Sequence, residues 1–192
     1  MKKIILHFTA FTFSFNSFSQ PFDLGTNMIN AGIGLGSSLG GFGYTSQTPA
    51  LSASFEHGMW KVGGPGVISL GGYLGYKSFK YSSTYPYLGG IYSYSQKWSY
   101  LIIGARSAYH YNGLGEEKID LYGGAMLSFN NLSYKYEDND PSYDYPGAGT
   151  YNSGLSLSLY AGGRYMFTDN IGGYLEAGYG ISYLSLGVSF KF

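Results

Sequence analysis

Six charges are spaced along segments that otherwise hold small and apolar residues: Glu56, Arg106, Asp120, Arg164, Glu176 and Lys191. Three acids and three bases sum to zero, and the arginine fork suits bidentate pairing with carboxylates. Such a set can pair off completely and fill an interior, or let an arginine exchange partners and so gate a narrow polar path. Because an unpaired charge in a low-dielectric interior is expensive, full pairing is the expected resting state. Other chemistry is poorly provided for. Nucleophilic catalysis needs a Ser or Cys beside a base, yet the chain has no Cys. Past residue 20 the histidines are His57 and His110, and neither has an evident Ser and carboxylate at a common height. The expectation is therefore no catalytic residue and no cofactor. The run Glu137-Asp138-Asn139-Asp140, with Asp144, offers oxygen ligands to a hard cation but lacks the Gly and Glu spacing of an EF-hand loop, so no metal site is expected. Gly32-Ile33-Gly34 sits inside a strand pattern with no helix after it, which excludes a nucleotide loop.

The segments that carry these charges alternate with a period of two, the period of a strand. Eight such segments are legible, at residues 26–36, 51–60, 67–77, 97–111, 118–130, 153–167, 171–180 and 183–192. In the sixth, Leu155, Leu157, Leu159, Ala161, Tyr165 and Phe167 share one parity, while Ser156, Ser158, Tyr160, Gly162 and Arg164 share the other. The fourth alternates least cleanly, since Leu101, Ile102 and Ile103 are contiguous; placing Leu101, Ile103, Ala105 and Tyr109 on the apolar face sends Arg106 to the polar one. Turn residues make short connections at Gly63-Gly64-Pro65-Gly66, Asn112-Gly113 and Thr168-Asp169-Asn170. Long polar loops are expected at 37–50, 78–96 and 134–152, all on the opposite side.

Composition decides what the apolar parity faces. Only 11% of residues are charged and 19% are aromatic, against roughly 25% charged in an ordinary soluble domain. A soluble, lipocalin-like barrel would turn the greasy parity inward and needs a water-facing parity rich in Lys and Glu. Here the other parity is mostly Gly, Ser and Tyr, which suits a cramped lumen. No segment holds the 18 or more consecutive apolar residues of a spanning helix, so a membrane crossing has to be made by strands closed into a barrel. Trp60, Tyr109, Tyr165 and Phe167 gather at the short-turn ends, where an interfacial aromatic girdle belongs. Residues 1–19 read as a secretory signal peptide, with Lys2 and Lys3 before an apolar run and a small-residue cleavage site. A formal net charge of +0 argues against nucleic acid as a partner.

With that signal, the eight segments and the ending Ser189-Phe190-Lys191-Phe192, residues 20–192 resemble the small bacterial outer-membrane β-barrels, the superfamily of OmpA transmembrane domains, OmpX and OmpW. The resemblance implies an all-β, eight-stranded antiparallel up-and-down transmembrane barrel in a Gram-negative cell outer membrane, monomeric, surrounded by outer-membrane lipid. It implies that Leu184, Leu186, Val188, Phe190 and Phe192 form a terminal-strand signal read by the barrel assembly machinery. It also implies a lumenal salt-bridge cluster in which Glu56, Arg106, Arg164 and Glu176 are the counterparts. Two functions follow as expectations: a closed barrel that meets a surface ligand through Tyr- and Ser-rich extracellular loops, or a narrow porin-like channel for small solutes or small hydrophobic molecules.

Overall fold

The computed structural model describes residues 21–40, 43–87, 90–139 and 152–192. The signal-peptide expectation for 1–19 falls outside the described residues, as do Asp140, Asp144 and the tyrosines 143, 145 and 151. Among the described residues nine strands form: β1 Asn27–Leu35, β2 Ser46–Gln47, β3 Ala50–Val62, β4 Gly66–Tyr87, β5 Gly90–Tyr111, β6 Ile119–Asp138, β7 Gly154–Met166, β8 Ile171–Tyr179 and β9 Leu184–Lys191. All pairings are antiparallel; β1 pairs with β3, each strand from β3 to β8 pairs with the next, and β9 returns to β1, from Met28 opposite Lys191 to Leu35 opposite Leu184. Eight strands thus close a ring, while β2 lies outside it against β4.

The period of two sorts the side chains as the alternation predicts. Ile33, Leu74, Leu127, Leu157, Leu175 and Val188 are exposed, and their neighbours of the other parity are buried or half-buried. In β5, Ile103 is 58% exposed while Ile102 is 0% exposed, which resolves the contiguous apolar run as two faces. The large apolar side chains that stay uncovered therefore lie on the outside of the ring, and the polar parity lines its inside.

The connection expected at 78–96 is instead strand. β4 and β5 run 22 residues each and β6 runs 20, paired without interruption up to Tyr87 opposite Gly90 and to Tyr94 opposite Asp138. Tyr, Ser and Thr were legible as loop composition, but Phe79, Tyr81, Ser83 and Tyr85 alternate with Lys80, Ser82, Thr84 and Pro86, and aromatic and β-branched residues favour the pleated backbone. At about 3.3 Å per residue, strands of this length reach roughly 70 Å, about twice what β1, β8 and β9 provide. The barrel consequently carries a raised three-stranded wall on the side opposite its short turns.

Candidate functional site

The interior is built in layers. At the short-turn end, Phe22 folds inward ahead of β1 and packs with Met28 and Val67, all three nearly inaccessible. Backbone bonds from Gly25 N to the Gly58 carbonyl (2.8 Å) and from Gly58 N to the Thr26 carbonyl (2.9 Å) hold this entering segment across the mouth. At the far end of the ring, Phe79, Trp98, Tyr100, Ile102, Met126 and Ile181 form an apolar cluster. The charges lie between the two.

Register explains how they meet. Glu56 of β3 is opposite Gly71 of β4, which is opposite Arg106 of β5, so the residue between acid and base has no side chain to separate them. Arg106 Nη2 stands 2.9 Å from Glu56 Oε1 and 2.7 Å from Glu176 Oε1. Asp120 and Arg164 are directly opposite across β6 and β7, with Nη1 donating to Asp120 Oδ2 at 2.5 Å. The remaining Arg164 donors reach Ser189 Oγ (2.9 Å), Asn30 Oδ1 (3.1 Å) and Glu56 Oε2 (3.2 Å). Glu56 therefore bridges the two arginines. Tyr122 donates to Glu176 at 2.9 Å, and the Tyr160 ring lies 4.2 Å from the Arg106 guanidinium carbon. Both guanidinium groups are thus surrounded by acceptors and by a ring face, the environment in which a buried cation is tolerated.

Five of the six charges singled out in the sequence are brought together in this way. Lys191 lies lower, opposite Met28 on the rim, with its carbonyl accepting from Asn170 Nδ2 at 2.8 Å. His110 completes the cluster instead. Its Nδ1 is 2.9 Å from Asp120 Oδ1 and its Nε2 is 3.1 Å from Ser69 Oγ, and the Phe22 ring stacks on it with centroids 3.7 Å apart. This corrects the sequence reading that His110 has no Ser and carboxylate at its height. Ser69 and Asp120 are diagonal neighbours of His110, which pairs directly with Val67 and Tyr122.

The Ser69–His110–Asp120 connectivity is that of a hydrolase triad, and its surroundings are those of a packed interior. The three residues are 1%, 0% and 1% exposed. Ser69 Oγ donates to the Ala108 carbonyl and accepts from Ala108 N, each at 3.3 Å, and Asp120 is shared with Arg164. Ser69 Oγ is thus shared between the Ala108 backbone and His110 Nε2, and Asp120 between His110 and Arg164. His57 is on the outer parity, bonded through Nδ1 to Asn27 Oδ1 at 2.8 Å.

Above the charges a cavity of about 40 Å³ is lined by Ser52, Ser54, Tyr73, Arg106, Ser158 and Glu176, a volume suited to a water or two. Trp60, Tyr109, Tyr165 and Phe167 all stand exposed at the short-turn ends, and Leu184, Leu186, Val188, Phe190 and Phe192 are exposed along the outer face of the last strand. On the raised wall, Tyr81, Tyr85, Tyr92, Tyr94, Tyr134 and Tyr136 share the inner parity and lie half-buried, with Tyr94 stacked on Tyr136 at 6.2 Å. Glu137 points to the outer face and Asp138 to the inner one, where it accepts from Tyr136 Oη at 2.7 Å, so these two acids do not converge.

No protein-family model and no curated protein sequence matches the chain. Among solved structures it is similar to Ail, the attachment invasion locus protein of Yersinia pestis, crystallised with the heparin analogue sucrose octasulfate. The two share 14% sequence identity over 88% of this chain and 99% of that one, with a TM-score of 0.43.

Proposed function

We propose that this protein is an integral outer-membrane β-barrel, closed to solutes, whose working surface is the raised extracellular wall. Removal of residues 1–19 as a signal peptide and delivery to the assembly machinery through the apolar face of the last strand precede insertion. The apolar outer parity then meets lipid, with Trp60, Tyr109, Tyr165 and Phe167 at the periplasmic interface. The observation that carries the closed state is the layering of the lumen: Phe22 at one mouth, a bonded charge layer in the middle and an aromatic cluster above. An eight-stranded barrel has an interior just wide enough for side chains to fill, and here they fill it. Function is then left to the wall, whose tyrosine- and serine-rich faces combine rigid amphipathic rings with adaptable hydrogen bonding.

Planar-bilayer conductance of the refolded chain tests this. A silent native protein with leaky Arg164→Ala and Glu176→Ala variants is the expected result. Steady native conductance would remove the plug and favour the narrow-channel function.

A further inference from the structure

The outer face of the wall changes character in rows that the register makes explicit. Reading outward from the ring, the rows across β4, β5 and β6 are Tyr76–Leu101–Asn131, Ser78–Ser99–Ser133 and Lys80–Lys97–Lys135. Three lysines thus stand side by side on neighbouring strands, where strand spacing is about 4.8 Å and directly opposed like charges oppose folding. Among the described residues, the acid beside them is Glu137, whose Oε1 is 2.5 Å from Lys135 Nζ. The hydrogen bond and charge of Lys135, followed by the charges of Lys80 and Lys97, hold the Glu137 carboxyl below its ordinary range. One carboxylate against three ammonium groups leaves the row cationic by two. The row also lines a recess of about 430 Å³, walled on one side by β2 and supplied with hydroxyls by Thr48, Ser78 and Ser95.

We propose that the Lys80–Lys97–Lys135 recess binds the phosphate of an outer-leaflet lipid headgroup. The height of the row chooses the source of that phosphate. It lies four residues beyond Tyr76 and Leu101, the last exposed apolar side chains of this column on β4 and β5, about 13 Å along the strand and about 10 Å in height at the usual barrel tilt. Headgroups occupy roughly the first 5–8 Å beyond the hydrocarbon, and lysine ammonium groups reach back toward that layer on flexible stems. Below the lysines, Leu74, Ile103 and Phe129 continue the same outward column, so one lipid can lay its chains on the column and its phosphate in the recess. The phosphate also removes the like-charge repulsion that the row imposes on the wall. The assignment rests on the proposed outer-membrane orientation.

The test uses the full chain refolded into phosphatidylcholine vesicles doped with phosphatidic acid, whose headgroup is a bare phosphate monoester, with retained lipid counted by native mass spectrometry. Protease protection of the barrel and heat-modifiable gel mobility report insertion and folding of every variant. The expected result is selective retention of phosphatidic acid, weakened roughly a hundredfold in the K80Q/K97Q/K135Q chain and kept in K80R/K97R/K135R. Equal retention by the glutamine variant overturns the site. Displacement of the lipid by inorganic phosphate at matched concentration assigns the recess to a soluble anion and overturns the lipid source. A chain that folds but is not protected by the vesicle overturns the membrane orientation, and the lipid site with it.

Discussion

Arg164 is the residue on which the interior depends most directly, because its four bonds tie Asp120, Glu56, Asn30 and Ser189 from four different strands. Truncating it takes from Asp120 its guanidinium partner and from Glu56 one of its two, so Arg164→Ala should cost about 3–5 kcal/mol, read as a lowered urea midpoint for the vesicle-inserted protein. Adding Asp120→Asn should return part of that loss, since it removes one of the stranded charges. A single Arg164→Ala variant of native stability would mean that the layer contributes nothing to holding the barrel. The inward parity of Glu56, Arg106, Asp120, Arg164 and Glu176 was legible from alternation alone. Their pairings were not, because partners depend on strand stagger, which the sequence does not display. His110 shows the limit most clearly: its neighbours Ser69 and Asp120 lie 41 and 10 positions away and become adjacent only once the turns set the register. The turn residues at Gly63–Gly66 and Asn112–Gly113 were the signal that could have found them, by counting outward from each hairpin.

At the scale of the strand, glycine placement decides which rows can be crowded. The row Asp120–Arg164–Tyr174–Gly187–Gly32 sets a large ring against two glycines, and a Cβ on Gly187 would collide with the Ala31 carbonyl oxygen as well as meet the Tyr174 ring at 2.8 Å. Gly71 is more demanding: a Cβ there would collide with the Phe55 carbonyl, which belongs to the ladder and cannot yield. Its neighbour Gly72 faces outward, with the closest atom, the Gly104 carbonyl oxygen, at 4.0 Å. Gly71→Val should therefore abolish the folded, heat-modifiable species, while Gly72→Val should fold as the native chain does or slightly better. If both variants fold equally, close approach at Gly71 is not what requires glycine. The sequence showed that strands exist and which way they face, but it misled on where three of them end. Serine and tyrosine serve loops and exposed strands alike, and within residues 78–96 the boundary marks are Pro86 and the Gly89-Gly90 pair at the hairpin tip, which signal a tight turn rather than a long loop.

The whole molecule is asymmetric along the barrel axis, and the proposed orientation turns that asymmetry into a prediction. One end has short turns, the Phe22 closure and exposed rings; the other has a wall about twice the length of the ring's shortest strands. If the wall is the surface the protein works with, Lys97 is outside the cell and Glu117, in the connection between β5 and β6, faces the periplasm. The chain has no Cys, so Lys97→Cys and Glu117→Cys each introduce a single thiol at a position exposed in the structure. A membrane-impermeant maleimide added to intact cells should label the first and leave the second unmodified until the outer membrane is opened. The reverse pattern would invert the barrel and place the lysine row in the periplasm, where an outer-leaflet headgroup cannot reach it. Labelling of both in intact cells would mean that the chain does not partition the two compartments, and the closed lumen would then have no barrier to maintain.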